Sequence, residues 1–133
     1  MVFRCYSDIK EKICWRLYPC KNHGENITWE QWHVKIPLYI YRTDYEKLLL
    51  DYVTGIFPLT DPTNNEIAET FYPCFDTWIG KDDWNRMLKA MKAGLKRNNN
   101  RPSKQEKEFY NNFIEWVERE LEWADIIVLD SNL

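Results

Sequence analysis

Ser103 and Glu106 stand three residues apart at the head of an apolar run, an S-x-x-E pair in which the serine side chain can accept from the Glu106 amide. A helix therefore starts there. At about 100° per residue, centred on Val117, the side chains of Tyr110, Phe113, Ile114, Leu121, Ala124 and Val128 fall on one stripe. Phe109, Trp116 and Trp123, seven apart, widen it on one flank. A helix that is apolar over so wide an arc has to be covered from two directions. The rest of the chain is expected to supply that cover.

Upstream, periodicity of two appears. Trp32, Val34, Ile36, Leu38 and Ile40 alternate with His33, Lys35, Pro37 and Tyr39, which predicts a strand over 32–40. Pro37 cannot donate to a ladder, so that strand belongs at a sheet edge or carries a bulge, and such an edge is open to pairing with another chain. Residues 13–17 alternate in the same way and read as a strand, with residues 2–6 as hairpin partner; a helix over 8–17 is the competing reading. Residues 19–26 hold Pro, Gly and Asn and read as a loop.

From Thr43 the spacing turns helical. Thr43 with Glu46 forms a second capping box, Tyr45, Leu48, Leu49, Tyr52, Val53 and Ile56 follow at helical intervals, and Gly55 is a stop. Asp61 before Pro62, or Thr63 with Glu66, predicts a short helix through Ile67, Ala68 and Phe71 that Pro73 ends. Residues 74–80 read as a loop or short turn. A further helix runs from Lys81 to about Arg97 on Trp84, Met87, Leu88, Met91 and Leu95, with Asp82 and Asp83 suited to its start and Lys96 and Arg97 to its end. Residues 98–102 form a polar connector, expected to be mobile. Residues 126–129 fit either a last helical turn or a closing strand.

These pieces predict an α+β fold of one domain over residues 1–133. Its antiparallel sheet of two to four strands extends to about Arg42, and about four helices pack against it, with the amphipathic Ser103 helix at the centre. An all-α bundle is the alternative if residues 8–17 are helical and the 32–41 run is extended but unpaired.

Composition bears on function. Net charge is −3, against a general nucleic-acid binder, and aromatic content reaches 16% with seven Trp, eight Tyr and six Phe. Aromatic side chains serve both cores and interfaces. Charge is uneven: residues 81–104 carry eight basic and two acidic groups, whereas residues 105–133 carry two basic and eight acidic. Two neighbouring helices with complementary faces are the simple reading. Four cysteines, unevenly placed, argue for reduced thiols. The first eight residues meet charge early, and no stretch approaches the roughly eighteen apolar residues of a membrane span. A cytoplasmic protein without membrane contact is expected.

Catalytic signatures are sparse. Cys20-x-x-His23, with His33, Cys5, Cys14 or Cys74 in reserve, is half a metal motif; neither a metal nor another cofactor is expected. A Cys20/His23 nucleophile pair lacks an orienting third group. Asp82 and Asp83, adjacent on a helix, do not face one site, and they and Asp76 read as helix-start chemistry. The four glycines form no phosphate loop. Glu120 falls inside the apolar arc, so it needs a basic partner on a neighbouring helix or serves recognition or acid–base work.

The expectation is thus a protein-binding inhibitor, not an enzyme, resembling in general profile an immunity protein or an anti-defence protein. It would occlude a toxin or defence enzyme through Trp116, Glu120 and Trp123 with the acidic face Glu115, Glu118 and Glu122. A nucleic-acid or phosphate binder using Arg86, Lys89, Lys92, Lys96 and Arg97 is the first alternative, and a small enzyme centred on His23 or Glu120 the second. The exposed edge strand leaves room for a homodimer.

Overall fold

The computed structural model describes residues 2–3, 12–21, 37–97 and 102–131. Among these residues seven strands and four helices follow one another: β1 (Val2–Phe3), β2 (Cys14–Cys20), β3 (Leu38–Tyr41), α1 (Arg42–Leu48), α2 (Leu50–Thr54), β4 (Leu59–Thr60), β5 (Ile67–Ala68), β6 (Thr77–Gly80), α3 (Lys81–Lys96), α4 (Lys104–Glu120) and β7 (Ile126–Ser131). The main sheet has the order β1-β3-β2-β7-β6; β1 lies parallel to β3 and the other four strands are antiparallel. The fold is α+β.

Alternation in the strands builds the core. Trp15 and Leu17 of β2, Leu38 and Ile40 of β3, Ile79 of β6, and Ile127 and Leu129 of β7 join one buried cluster with side chains from all four helices. Among these, Trp84 of α3 donates from Nε1 to the Ile127 carbonyl at 3.1 Å, and Phe109 and Phe113 of α4 stack at 6.3 Å. The opposite face of the sheet holds a second buried cluster of Tyr18, Cys20, Ile126 and Val128, with Trp78 packed against it. β7 is therefore apolar on both faces. Burying such side chains stabilises by about 1.5–3 kcal/mol each, which favours a central place for this strand over an edge.

That placement corrects several expectations. Of the expected hairpin partner 2–6, Val2 and Phe3 pair with Tyr39 and Ile40 of β3 instead, and β2 is flanked by β3 and β7; residues 4–6 lie outside those described. β2 also runs through Pro19 to Cys20, into the expected loop, because its ladder with β3 has ended at Leu17 and Leu38, where a missing N–H costs no bond on that side. Of the predicted 32–40 strand, residues 38–40 lie in β3, which ends at Tyr41 and sits one place in from the edge; residues 22–36 lie outside those described. So do residues 98–101 of the connector.

The helix expected over 43–56 starts at Arg42, and its N-cap, Tyr41, makes no side-chain cap bond. It breaks at Leu49, where the Tyr110 hydroxyl donates to the Leu48 carbonyl at 2.7 Å and competes with the helical bond that carbonyl would otherwise accept. The short helix predicted from Asp61 is instead the β4–β5 hairpin. Asp61 Oδ1 accepts from the Thr63 amide at 2.8 Å and from its hydroxyl at 2.6 Å, and Asn65 takes φ 61°, so the residues read as a helix cap close a turn. Residues 77–80, expected as loop, are strand β6. Finally, α4 begins as predicted, with Ser103 Oγ accepting from the Glu106 amide at 3.2 Å, but it stops at Glu120. Leu121, Ala124 and Val128 are buried through the turn and β7, not as further turns of the helix.

Candidate functional site

The residues expected to meet a partner on the final helix divide. Trp116 is 5% exposed and belongs to the core, so it offers a partner no surface. Trp123 and Glu120 are half-buried and bonded to each other, Trp123 Nε1 donating to Glu120 Oε2 at 2.7 Å. The basic partner expected for Glu120 is thus replaced by a local indole N–H. Glu115, Glu118 and Glu122 are exposed, and Glu118 pairs with Lys92 of α3.

On α3 and at its C-cap, Arg86, Lys89, Lys92, Lys96 and Arg97 are all exposed. Arg86 is held by Asp83 at 3.0 Å and by the Ile56 carbonyl at 2.6 Å, while Lys89, Lys92 and Lys96 border a shallow groove of about 420 Å³ that Glu118 also enters. The complementary helix faces read from the charges meet at the Lys92–Glu118 pair. A larger cleft of about 560 Å³ lies between α1, α2, α3 and α4, lined by Tyr52, Tyr110, Arg97 and the Lys47–Glu106 pair at 3.6 Å.

Cys20 is fully buried, and burial, helped by the charge of Asp125, pushes its thiol up to about 11. Cys14 is raised by burial as well, despite the lowering pull of Arg16. Neither is poised as a nucleophile. His23, His33 and Cys5 lie outside the described residues, among which no three His, Cys, Asp or Glu side chains gather to hold a metal. No described helix is long and apolar enough to cross a membrane.

A different surface assembles between α2 and α3. Residues 55–80 contain four carboxylates, Asp61, Glu66, Glu69 and Asp76, and no Lys, Arg or His. The same stretch carries Ile67, Tyr72 and Phe75, the large hydrophobic side chains exposed among the described residues, at 67%, 59% and 67%. Phe71 anchors it: its ring meets Trp15 edge-on at 5.7 Å and Phe57 at 6.0 Å, and Trp15 stacks on Tyr45 at 4.0 Å. Beyond the anchor, the Phe75 amide donates to the Tyr72 carbonyl at 3.2 Å, closing a turn whose second residue is Pro73. That turn sets Tyr72 and Phe75 edge to face at 6.3 Å. Two aromatic rings are thus held in solvent by a turn tied to the core.

Beside them, sheet register lines up charges. Thr77 pairs with Leu129, so Asp76 falls opposite Asp130; Asp130 pairs with Arg16, and Arg16 with Tyr39. Arg16 Nη2 contacts Asp130 Oδ2 at 2.5 Å, and Asp130 is 7% exposed. Asp76 is exposed as a residue, but partial burial of its carboxyl, then the hydrogen bond to Asp130 and that group's charge, push it up to about 6 against the pull of Arg16. The Asp76 carboxyl thus keeps its proton to a higher pH than an exposed aspartate does. Nothing in the sequence around Asp76 signals this; the basic-free run of 55–80 was the readable clue to the surface as a whole.

Comparison with known proteins adds no relative: no family model matches the chain, and neither a curated protein nor a solved structure is significantly similar to it.

Proposed function

We propose that the protein is a small binding module of the inhibitor type, which covers a basic site on a partner protein with the surface formed by residues 57–78. The observation that carries this reading is the coincidence, in one basic-free stretch, of four carboxylates with three exposed hydrophobic side chains. Large apolar groups held in water at a fixed angle are interface anchors, since ordering them on binding costs little further entropy. Carboxylates around them steer a cationic partner. An immunity protein or an anti-defence protein works in this general way, by occlusion and without chemistry of its own. The exposed acids Glu115, Glu118 and Glu122 of α4 add to the acidic character, while Trp116 takes no part.

The test is capture from the native host lysate with the tagged full chain, beside a Tyr72→Ala/Phe75→Ala variant and a Trp123→Ala/Glu118→Lys variant, each checked for an unchanged melting transition. A stoichiometric, basic protein partner lost with the first variant and kept with the second supports the reading. Loss only with the second returns the interface to the final helix and overturns it. Recovery of nucleic acid, released by Lys89→Glu/Lys92→Glu, overturns it in favour of the basic groove of α3.

A further inference from the structure

Resting on that reading, we infer that the groove between the β4–β5 hairpin and residues 72–78 is a subsite for one arginine side chain of the partner, with Asp76 as its carboxylate and Tyr72, Phe75 and Trp78 as its aromatic walls. The groove is lined by these four residues together with Phe57 and Asp61 and encloses about 140 Å³. Small-molecule sites run to about 300–1,000 Å³, so this space suits one side chain, not a nucleotide or a cofactor.

Its chemistry selects a cation. Asp61, the other acid of the groove, has Oδ1 engaged by Thr63 within its own turn. Asp76 has no ion pair among the described residues, and Arg16, whose charge acts on it, is committed to Asp130 at 2.5 Å. A carboxylate beside aromatic faces favours a planar guanidinium, which stacks on rings and bonds two oxygens at once, over a compact, strongly hydrated ammonium.

The raised Asp76 carboxyl gives this subsite a signature. The charged groups around Asp76 among the described residues are Asp130 on β7, Arg16 on β2 and Asp61 across the groove, with Tyr39, Tyr18 and Cys14 further along the sheet face. Below about pH 6 Asp76 keeps its proton, and a cation has to displace it; above that pH the carboxylate is already free. Arginine binding is therefore coupled to proton release near pH 6 and not at pH 8.

The experiment uses the intact chain and a capped tri-arginine peptide as probe, followed by amide shifts and by calorimetry in two buffers of different ionisation enthalpy. The expected result is shifts concentrated over residues 72–78, proton release at pH 6 that vanishes at pH 8, and affinity at pH 7.5 about tenfold weaker in Asp76→Asn. Tyr72→Leu, which keeps an apolar side chain but removes the ring, should weaken tri-arginine binding without moving the proton release per bound peptide. Equal binding of a tri-citrulline or trilysine peptide overturns the inference, as do shifts centred on Glu115, Glu118 and Glu122. Partner capture that depends on Tyr72 and Phe75 but is unchanged in Asp76→Asn removes the subsite and leaves the proposed function standing.

Discussion

Asp76 illustrates how one side chain can weaken the fold while equipping a surface. An aspartate free in an unfolded chain titrates near about 3.9, whereas in the folded protein this one is raised to about 6, by burial first and then by Asp130. Between those values the folded state holds more protons than the unfolded state, so its contribution to stability is greatest at low pH and is lost as pH rises through about 6. Asparagine cannot ionise and lacks this slope. Melting temperatures of wild type and Asp76→Asn, taken from pH 4 to pH 7, should therefore diverge in the variant's favour as pH rises. A difference that stays flat, or runs the other way, would show that the fold does not hold the proton on Asp76. The residue was legible only as an acid before a helix; its partner is set by the pairing of β6 with β7, strands about fifty positions apart, and local spacing carries no trace of that.

Elements were legible where their signals are local. The Ser103 cap and the apolar spacing of α3 and α4 are contained within a few turns each, and both helices start where expected, although α4 ends at Glu120. β7 was ambiguous because Ile126, Ile127, Val128 and Leu129 are all buried, which erases the alternation that marks a strand with one wet face. The hairpin at Asp61 was misread since the same Asp and Thr side chains cap helices and close turns. The junction of α2 and α3 carries a further local conflict, at Gly94. A Cβ there would overlap the Tyr52 hydroxyl, while the ring carbon behind it stands at an ordinary 3.6 Å. Tyr52 in turn meets Tyr110 edge-on at 6.1 Å, so it is not free to swing aside without loss. Gly94→Ala should thus destabilise the wild type. In a Tyr52→Phe background the overlap is gone, and the better helix propensity of alanine should show as a gain of about 0.5–1 kcal/mol. Denaturant unfolding of the four proteins in this cycle measures the coupling; additive effects would mean that the hydroxyl does not stand over Gly94.

At the scale of the molecule, the balance of charge depends on how finely it is divided. Residues 1–80 carry eight basic and eleven acidic groups, an unremarkable tally that conceals the basic-free stretch from 55 to 80. The fold places that stretch between α2 and α3, as a small hairpin and a turn leading into the edge strand β6, so its acids are displayed together with the exposed rings. The two kinds of group should then affect different steps of association. Glu66 and Glu69 are exposed and act at a distance, over a screening length of about 8 Å at physiological salt. Reversing both to Lys should slow association with a basic partner about tenfold at low salt, and the difference should fade in high salt, with dissociation little changed. Tyr72 and Phe75 act only in contact, so Tyr72→Ala/Phe75→Ala should leave association nearly intact and speed dissociation by about tenfold or more. Surface-binding kinetics at several salt concentrations separate the two. If reversing the glutamates changes only the dissociation rate, the acids are contacts and not a steering field. If removing the rings changes neither rate, the surface at 57–78 is not where the partner docks.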